Sequence, residues 1–297
     1  MGKHQEESSQ ARDIKGALIR ARAELVEARV ESPRLTAELL LGHVLGWERS
    51  RILSHPEDPL SDEVMGRFSS LIRRRAAGEP LQYLTGTQEF FGLPFRVTPD
   101  VLIPRPETEI LVEKALQLAR GLGAGPVRFA DVGTGSGCIA VSFAAVHNRA
   151  IGYGVDLSWK ALAVARDNAS RHGVLGRLRF VQGDLLDCFS PRPGFELILS
   201  NPPYVSRKDQ ENLPVTVRDH EPSMALFAGD AGTEIYEHLI PQAAARLVDG
   251  GRILMEVGWG LADDVARLVV EAGLWVESIE KDLQSIPRCI VARRGHG

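Results

Sequence analysis

The tetrad Asn201-Pro202-Pro203-Tyr204 follows the apolar run "LILS", which ends at Ser200. These residue types suit one chemistry, that of gripping a planar NH2 group conjugated to a carbonyl or a ring. Such a nitrogen is a poor nucleophile because its lone pair is delocalised. The side-chain carbonyl of Asn201 can accept one N–H. The backbone carbonyl of Pro202 can accept the other, since proline keeps its acceptor. Pro203 restricts the residue before it and stiffens the turn. Tyr204 offers a flat face to the planar group. Together they would aim the nitrogen at an electrophilic carbon and favour the positive charge growing on it. No neighbouring histidine is needed, because an N-alkylated amide cation sheds its extra proton readily. The competing reading is a tight proline turn closing a buried strand, and residues upstream have to discriminate.

Three earlier strand ends do so. The run "VRFADV" leads into "GTGSGCIAV", where Gly133, Gly135 and Gly137 let the backbone bend sharply and approach a ligand. The helix that follows would turn its free N–H groups to the same place. Nucleotide sites of several kinds share such a loop, and a glycine-rich turn without a ligand is its bland alternative. The next strand ends at Asp156, whose carboxylate can accept hydrogen bonds from both hydroxyls of a ribose. The third is followed by Asp184, which with its neighbouring backbone can bind an exocyclic amine of adenine. Singly, Asp156 or Asp184 reads as a helix cap or loop residue. No lysine or arginine lies in "DVGTGSG" to cradle a pyrophosphate; Asp131 stands there instead. A carboxylate suits a ligand carrying an amine and a sulfonium, such as S-adenosyl-L-methionine, and Asp131 would help place its methionine end.

The elements that must position these groups are legible in the periodicity. Up to about Gly86 the chain reads as helices only. Ile14, Leu18, Ala21 and Leu25 form one stripe; Leu35, Leu39, Leu40 and Val44 form another, with Ser32 expected as its N-cap before Pro33. A third helix starts at Ser61 and ends in basic residues and Gly78, as the helix dipole favours. "EFFGLPFRVTPDVLI" has the texture of a hairpin, and a helix opens after Pro106. From Val127 short apolar strands alternate with helices, which implies a mostly parallel sheet covered on both faces. The last two strands, "LWVESIEKD" and "RCIVARR", have no helix between them and should pair antiparallel at an edge. The expected domains are a helical one over 1–86, a hairpin connector over 87–105 and an α/β domain over 106–297.

Composition narrows the function. The formal net charge is -4, so no global positive field draws the chain to nucleic acid or anionic lipid. Cys138, Cys188 and Cys289 are widely spaced and odd in number, against a disulfide framework or a zinc site. No metal is expected. The opening "MGKHQEESSQ" lacks the apolar core of a secretory signal, and no apolar run approaches membrane-spanning length. A cytoplasmic protein, monomeric and without a membrane partner, is the expectation.

The segments "PLQYLTGTQEFFGLPFRVTPDVLIPRPETEILVEKAL", "DVGTGSGCIAV", "VDLS", "GDLL", "LSNPPYV" and "HEPSMALFAGDAGTEIYEHLI" resemble, as a set, the HemK-type protein-glutamine N5-methyltransferases. The resemblance covers the helical part, the hairpin and the α/β domain, and "IPRPETE" over 103–109 resembles the peptide chain release factor branch. It implies a class I S-adenosylmethionine-dependent methyltransferase, with a Rossmann-like seven-stranded sheet carrying an antiparallel edge. It implies cofactor contacts at Asp131, Gly133, Thr134, Gly135, Ser136, Gly137, Asp156, Asp184, Leu185 and Asn201, and release of S-adenosyl-L-homocysteine. Its acceptor would be the glutamine of the Gly-Gly-Gln loop in class-1 release factors, bound by Asn201, Pro202, Pro203 and Tyr204, with Asn201, Pro202 and Tyr204 catalytic. Arg105 and Glu107 would shape the entrance, or simply cap a helix; Glu221 and Pro222 would floor the pocket, or simply form a turn. The helical domain would help recognise the partner. Two departures stand out: no glutamine follows Gly258 in "EVGWGLADD", and Ser285 occupies a place where the family often has glycine. Glutamine methylation of a ribosomal protein and adenine-N6 methylation of DNA are the alternatives. The second usually needs a basic recognition surface and a flipped base, and the acidic charge speaks against it.

Overall fold

A computed structural model describes residues 12–295, so the opening decapeptide lies outside the described residues. The chain forms two compact units. One holds residues up to Gly86 together with Pro214–His220; the other holds Thr87–Leu213 and residues from Glu221 onward.

The smaller unit is helical. Its main helices are α1 (Ile14–Glu27), α2 (Pro33–Leu45) and α3 (Asp62–Ala76). Asp13 caps α1, its side chain accepting from the Gly16 N–H at 2.7 Å, and Ser61 caps α3 through Val64 N–H. Ser32 does not cap α2: it sits at φ 47° with no side-chain hydrogen bond, and Pro33 begins the helix instead. The buried face of α2 is also rotated from the expected one. Ala37, Leu40, Leu41 and Val44 are buried, whereas Leu35 and Leu39 are 41% and 37% exposed. Both stripes fit a helical period, and the burial of Ala37 and Leu41 selects between them. These residues close one core with Ile14, Leu25, Ile52, Phe68 and Ile72.

In the larger unit the hairpin strands β1 (Thr87–Phe90) and β2 (Leu93–Arg96) meet through Phe91 and Gly92, both at positive φ, 54° and 70°. That is the backbone a two-residue hairpin requires. The hairpin was expected to be a connector between domains; here its Phe90 and Phe95 are buried in the larger unit's core. A 3₁₀ turn, Pro106–Thr108, leads into α4 (Glu109–Gly121).

The sheet then builds from β3 (Val127–Val132), β4 (Ala150–Asp156), β5 (Leu178–Gln182), β6 (Phe195–Ser200), β7 (Leu247–Glu256), β8 (Leu274–Lys281) and β9 (Pro287–Arg294). Across the sheet the order is β8-β9-β7-β6-β3-β4-β5, parallel from β7 to β5. β9 runs antiparallel between β7 and β8, which is the expected antiparallel pair at the edge. The helices between are α5 (Cys138–Val146), α6 (Trp159–Arg171), α7 (Glu234–Arg246) and α8 (Ala262–Glu271). The strands read as continuous apolar runs because both faces are covered. Phe129, Leu197, Leu199 and Leu254 face α4 and α5; Ala130, Val132, Ile198 and Met255 face α7 and α8. Each fully buried Phe or Leu here contributes roughly 1.5–3 kcal/mol. That packing holds the carboxyl ends of β3, β4, β5, β6 and β7 in register along one edge.

Candidate active site

The glycine loop leaves β3 at that edge. Gly133 N–H and Thr134 N–H both donate to the Val155 carbonyl, and Gly135 N–H donates to Asp156 Oδ2 at 2.9 Å. The loop is therefore tied to the end of β4. Gly137 sits at φ 80° where α5 begins, and a Cβ there would come within 3.0 Å of Ala165 on α6. Asn168 holds the loop from below: its Nδ2 donates to the carbonyls of Ser136 and Arg96, and its Oδ1 accepts from Arg96 N–H. Sequence reasoning missed Asn168, which looks like any polar residue late in a helix.

Asp131 lies beneath the loop and is fully buried. Its Oδ2 accepts from the Thr134 hydroxyl at 2.7 Å and from Ala140 N–H at 3.1 Å, while Oδ1 is buried without a partner among the described residues. Burial pushes the carboxyl up to about 7 against those two hydrogen bonds. An unpaired buried carboxylate oxygen calls for a donor, and an ammonium or a water would satisfy it. Asp156 accepts the Ser158 N–H on Oδ1 and the Gly135 N–H on Oδ2, with the Leu157 N–H also close, and burial holds its carboxyl above the usual range. A carboxylate has about four acceptor sites, so room is left for a hydroxyl donor.

A cleft of about 830 Å³, open mouth included, runs along this edge. Gly133, Gly135, Asp156, Asp184, Leu185, Asn201 and Pro203 line it, with Asp100, Val101 and Leu102 on one side and Pro222 and Met224 on another. Its size and mixed lining suit a nucleoside-sized ligand. Leu185 sits in this wall at φ 50°, a conformation that a branched side chain rarely keeps without a reason, and such strain gathers at binding sites. Thr134, Ser136 and Gly137 do not line the cleft. The two hydroxyl residues are buried in the loop's own support, and Gly137 is pressed against α6.

The tetrad follows β6. Pro202 is buried; Asn201 and Pro203 reach the cleft, and Tyr204 turns toward β7. The chain beyond is pinned where Val205 pairs with Phe227. Asn201 Nδ2 donates to the Thr108 hydroxyl at 3.1 Å, and Thr108 donates to Glu256 Oε2 at 2.6 Å. The Tyr204 hydroxyl donates to Glu256 Oε1 at 3.2 Å. Gly258 makes room for the Tyr204 ring: a Cβ there would lie 2.7 Å from it. Glu256 is 3% exposed and its hydrogen-bonding partners are hydroxyls. Burial pushes its carboxyl up to about 7 despite them. Thr108 and Glu256 escaped sequence reasoning. Glu256 had a signal, since it is a lone carboxylate ending the apolar run "ILM" at the same sheet edge.

Arg105 pairs with Glu221, which is buried and also accepts from Ile103 N–H; the pair ties the segment before α4 to the turn at Pro222. Glu107 does not line the cleft. It lines a separate depression with Glu109, Glu113 and Asp282, because the 3₁₀ turn that buries Thr108 carries Glu107 to the other side. Among the described residues no His, Cys, Asp and Glu cluster could hold a metal, and no helix is long and apolar enough to cross a membrane.

Residues 16–86 match the family described as PrmC N-terminal domain, and residues 108–218 match the methyltransferase small domain. A release factor glutamine methyltransferase of Nitratidesulfovibrio vulgaris is 44% identical over 283 residues, 95% of each chain. The chain belongs to the release factor glutamine methyltransferase family. A second member, from Koribacter versatilis, is 41% identical over 95% of this chain and 98% of its own. At the level of fold, a solved methyltransferase from Pyrococcus furiosus matches with a TM-score of 0.51 at 17% identity, covering 77% of this chain and all of that one. Membership makes the chain an enzyme with a methyltransferase domain.

Proposed function

We propose that this chain transfers a methyl group from S-adenosyl-L-methionine to the side-chain amide nitrogen, N5, of the glutamine in the Gly-Gly-Gln loop of class-1 release factors. The observation that carries the reading is that one cleft runs unbroken from Asp156 and Gly135 to Asn201 and Pro203. Two ligands could then meet end to end. The names of the relatives supply the acceptor class.

The cofactor supplies a methyl group on a positively charged sulfur and leaves as S-adenosyl-L-homocysteine. Asp156 would take the ribose hydroxyls on its free lone pairs. Asp184 and the Leu185 backbone would face the adenine, and the unpaired Asp131 Oδ1 would take an ammonium or its water. The backbone of Gly133, Gly135 and Asn201 would close on the ligand, with Thr134, Ser136 and Gly137 supporting from behind. Asn201 Oδ1 and the Pro202 carbonyl would each accept one hydrogen of the glutamine NH2, and Pro203 and Tyr204 would flank its plane. Two acceptors on the nitrogen's hydrogens favour the positive charge that grows there as the methyl arrives. Arg105 would hold the entrance through Glu221. The helical unit is proposed to contribute to recognition of the release factor, since a short loop alone offers little area.

The test is transfer of labelled methyl from the cofactor to a purified class-1 release factor. Its Gln-to-Ala loop variant, a ribosomal-protein preparation and duplex DNA are run beside it. Label on the intact factor only is expected; equal label on the loop variant, or preference for DNA or the ribosomal protein, defeats the assignment.

A further inference from the structure

A hydroxyl has one proton to give, and that fixes which way Asn201 points. The Thr108 hydroxyl lies 2.6 Å from Glu256 Oε2 and 3.1 Å from Asn201 Nδ2. Thr108 and Glu256 are 2% and 3% exposed, so the hydroxyl's partners come from the protein. Above about pH 7, where Glu256 is ionised, its carboxylate only accepts, so the Thr108 proton goes to it. Thr108 can then only accept from Asn201, which must present its NH2 to the hydroxyl and its carbonyl oxygen to the cleft. Inverting the amide would set two acceptors face to face at Thr108 and point an NH2 at the acceptor's own NH2. The other carboxylate oxygen of Glu256 holds the far end of the tetrad, through the Tyr204 hydroxyl. The Tyr236 hydroxyl donates to the Glu256 backbone carbonyl at 2.7 Å and fixes the strand end itself.

We infer that Thr108 and Glu256 are positioning residues that set the Asn201 amide carbonyl-first toward the acceptor and fix Tyr204 beside it. The inference rests on the methyl-transfer reading above and adds to it two residues with no substrate contact of their own. It also accounts for a buried carboxylate bonded only by hydroxyls, an arrangement that stability alone does not favour.

The experiment compares Thr108→Val, which keeps the shape and removes the hydroxyl, with Thr108→Ser, which keeps the hydroxyl. Both are made in the full chain and assayed with a purified class-1 release factor and labelled cofactor. Thr108→Val is expected to lower kcat by about 10- to 100-fold, the scale of a small misplacement of reacting groups. KM for the factor and cofactor affinity should stay unchanged, and Thr108→Ser should restore most of the turnover. Wild-type kcat in Thr108→Val, or equal loss in Thr108→Ser, overturns the inference. So does a loss of cofactor affinity that matches the loss of turnover. Should the wild type transfer nothing to the factor, the functional reading fails on its own. The network is then judged by the side-chain 15N resonance of Asn201. Slow NH2 exchange in wild type and Thr108→Ser with fast exchange in Thr108→Val supports it; the same exchange in all three overturns it.

Discussion

Glu38 in the helical unit and Glu256 at the end of β7 are both buried carboxylates, 2% and 3% exposed. Their surroundings differ in one respect. Glu38 receives two guanidinium groups, from Arg34 at 2.8 Å and Arg49 at 2.6 Å. Desolvation raises its carboxyl, but the two arginines outweigh it and hold it below the usual range. Glu256 receives two hydroxyls, from Thr108 and Tyr204, and desolvation wins, leaving the carboxyl at about 7. Nearby Glu107 pushes in the same direction, while Arg288, already paired with Asp282, opposes it only weakly. A fold that only needs to bury a carboxylate pairs it with cations; this one leaves a carboxylate among hydroxyls at the edge where, on the proposed function, positive charge develops. Among the described residues the helical unit's buried carboxylates, Asp13 and Glu38, each have a partner, although Arg75 Nε there is buried without one; in the larger unit a carboxylate oxygen, Asp131 Oδ1, is left orphaned at the carboxyl edge of the sheet.

The largest test of that contrast is Asn201→Ala. If the edge groups exist for chemistry, turnover should fall by about 100- to 1,000-fold, as when one preorganised partner of a developing charge is removed. Cofactor affinity by calorimetry and the melting temperature should hardly change. Full activity would remove the role given to the Asn201 carbonyl and, with it, the reason for the Thr108–Glu256 arrangement.

Much of this edge was legible before the structure. Strands with both faces buried announce themselves as apolar runs, so β3, β4, β5 and β6 and the residues closing them, Asp156 and Asn201, could be placed from spacing alone. Hairpin and glycine loop followed from turn chemistry. What could not be read was sideways: Thr108 reaches Asn201 across 93 positions and Glu256 across 148. No local pattern encodes which strand end faces which turn. The rotated face of α2 failed for a related reason, since several stripes of one apolar helix satisfy its period equally. Glu107 lines a separate depression rather than the cleft, because neighbouring residues in a tight 3₁₀ turn point to different sides.

Glu256→Gln sharpens the comparison next. Ionised Glu256 favours positive charge on the acceptor nitrogen, so wild-type kcat should fall as pH drops through about 7. The glutamine variant should be slower by about tenfold above that pH and should lack this acid limb. Stability runs the other way. A carboxyl raised from 4.5 to about 7 on folding contributes fully below 4.5 and loses that contribution as pH rises through about 7. Above neutrality the variant should therefore be more stable by on the order of 1–2 kcal/mol, although slower. Melting curves across the pH range check the sign.

Glu38→Gln is the mirror case and a smaller one. A carboxyl lowered on folding contributes stability above its unfolded value of 4.5, and loses it as pH falls through the folded one. Losing the charge should cost about 1 kcal/mol at neutral pH, since the two arginines stay hydrated at 70% and 48% exposure. The deficit should vanish in acid, with methyl transfer unaltered per folded molecule. A neutral-pH gain in stability would break the comparison, because Glu38 would then also be a carboxylate kept at a cost.

The smallest effect concerns a cost that lies away from the edge. Ser285 sits at φ 63°, in the turn between β8 and β9. The turn is held without its side chain: Asp282 accepts from Gln284 and Ile286 N–H and from Arg288, and the Asp282 carbonyl accepts from Ser285 N–H. A left-handed residue with a Cβ costs roughly 1–2 kcal/mol. Glycine gives back about half of that through the freedom it gains in the unfolded chain. Ser285→Gly should thus stabilise by about 0.5 kcal/mol, a rise in melting temperature of about 1–2 °C, with turnover unchanged. Strain that serves no chemistry can be removed freely, whereas relief at Glu256 must slow the reaction. A Ser285→Gly enzyme that is more stable and also slower would show that this turn, too, belongs to the working edge.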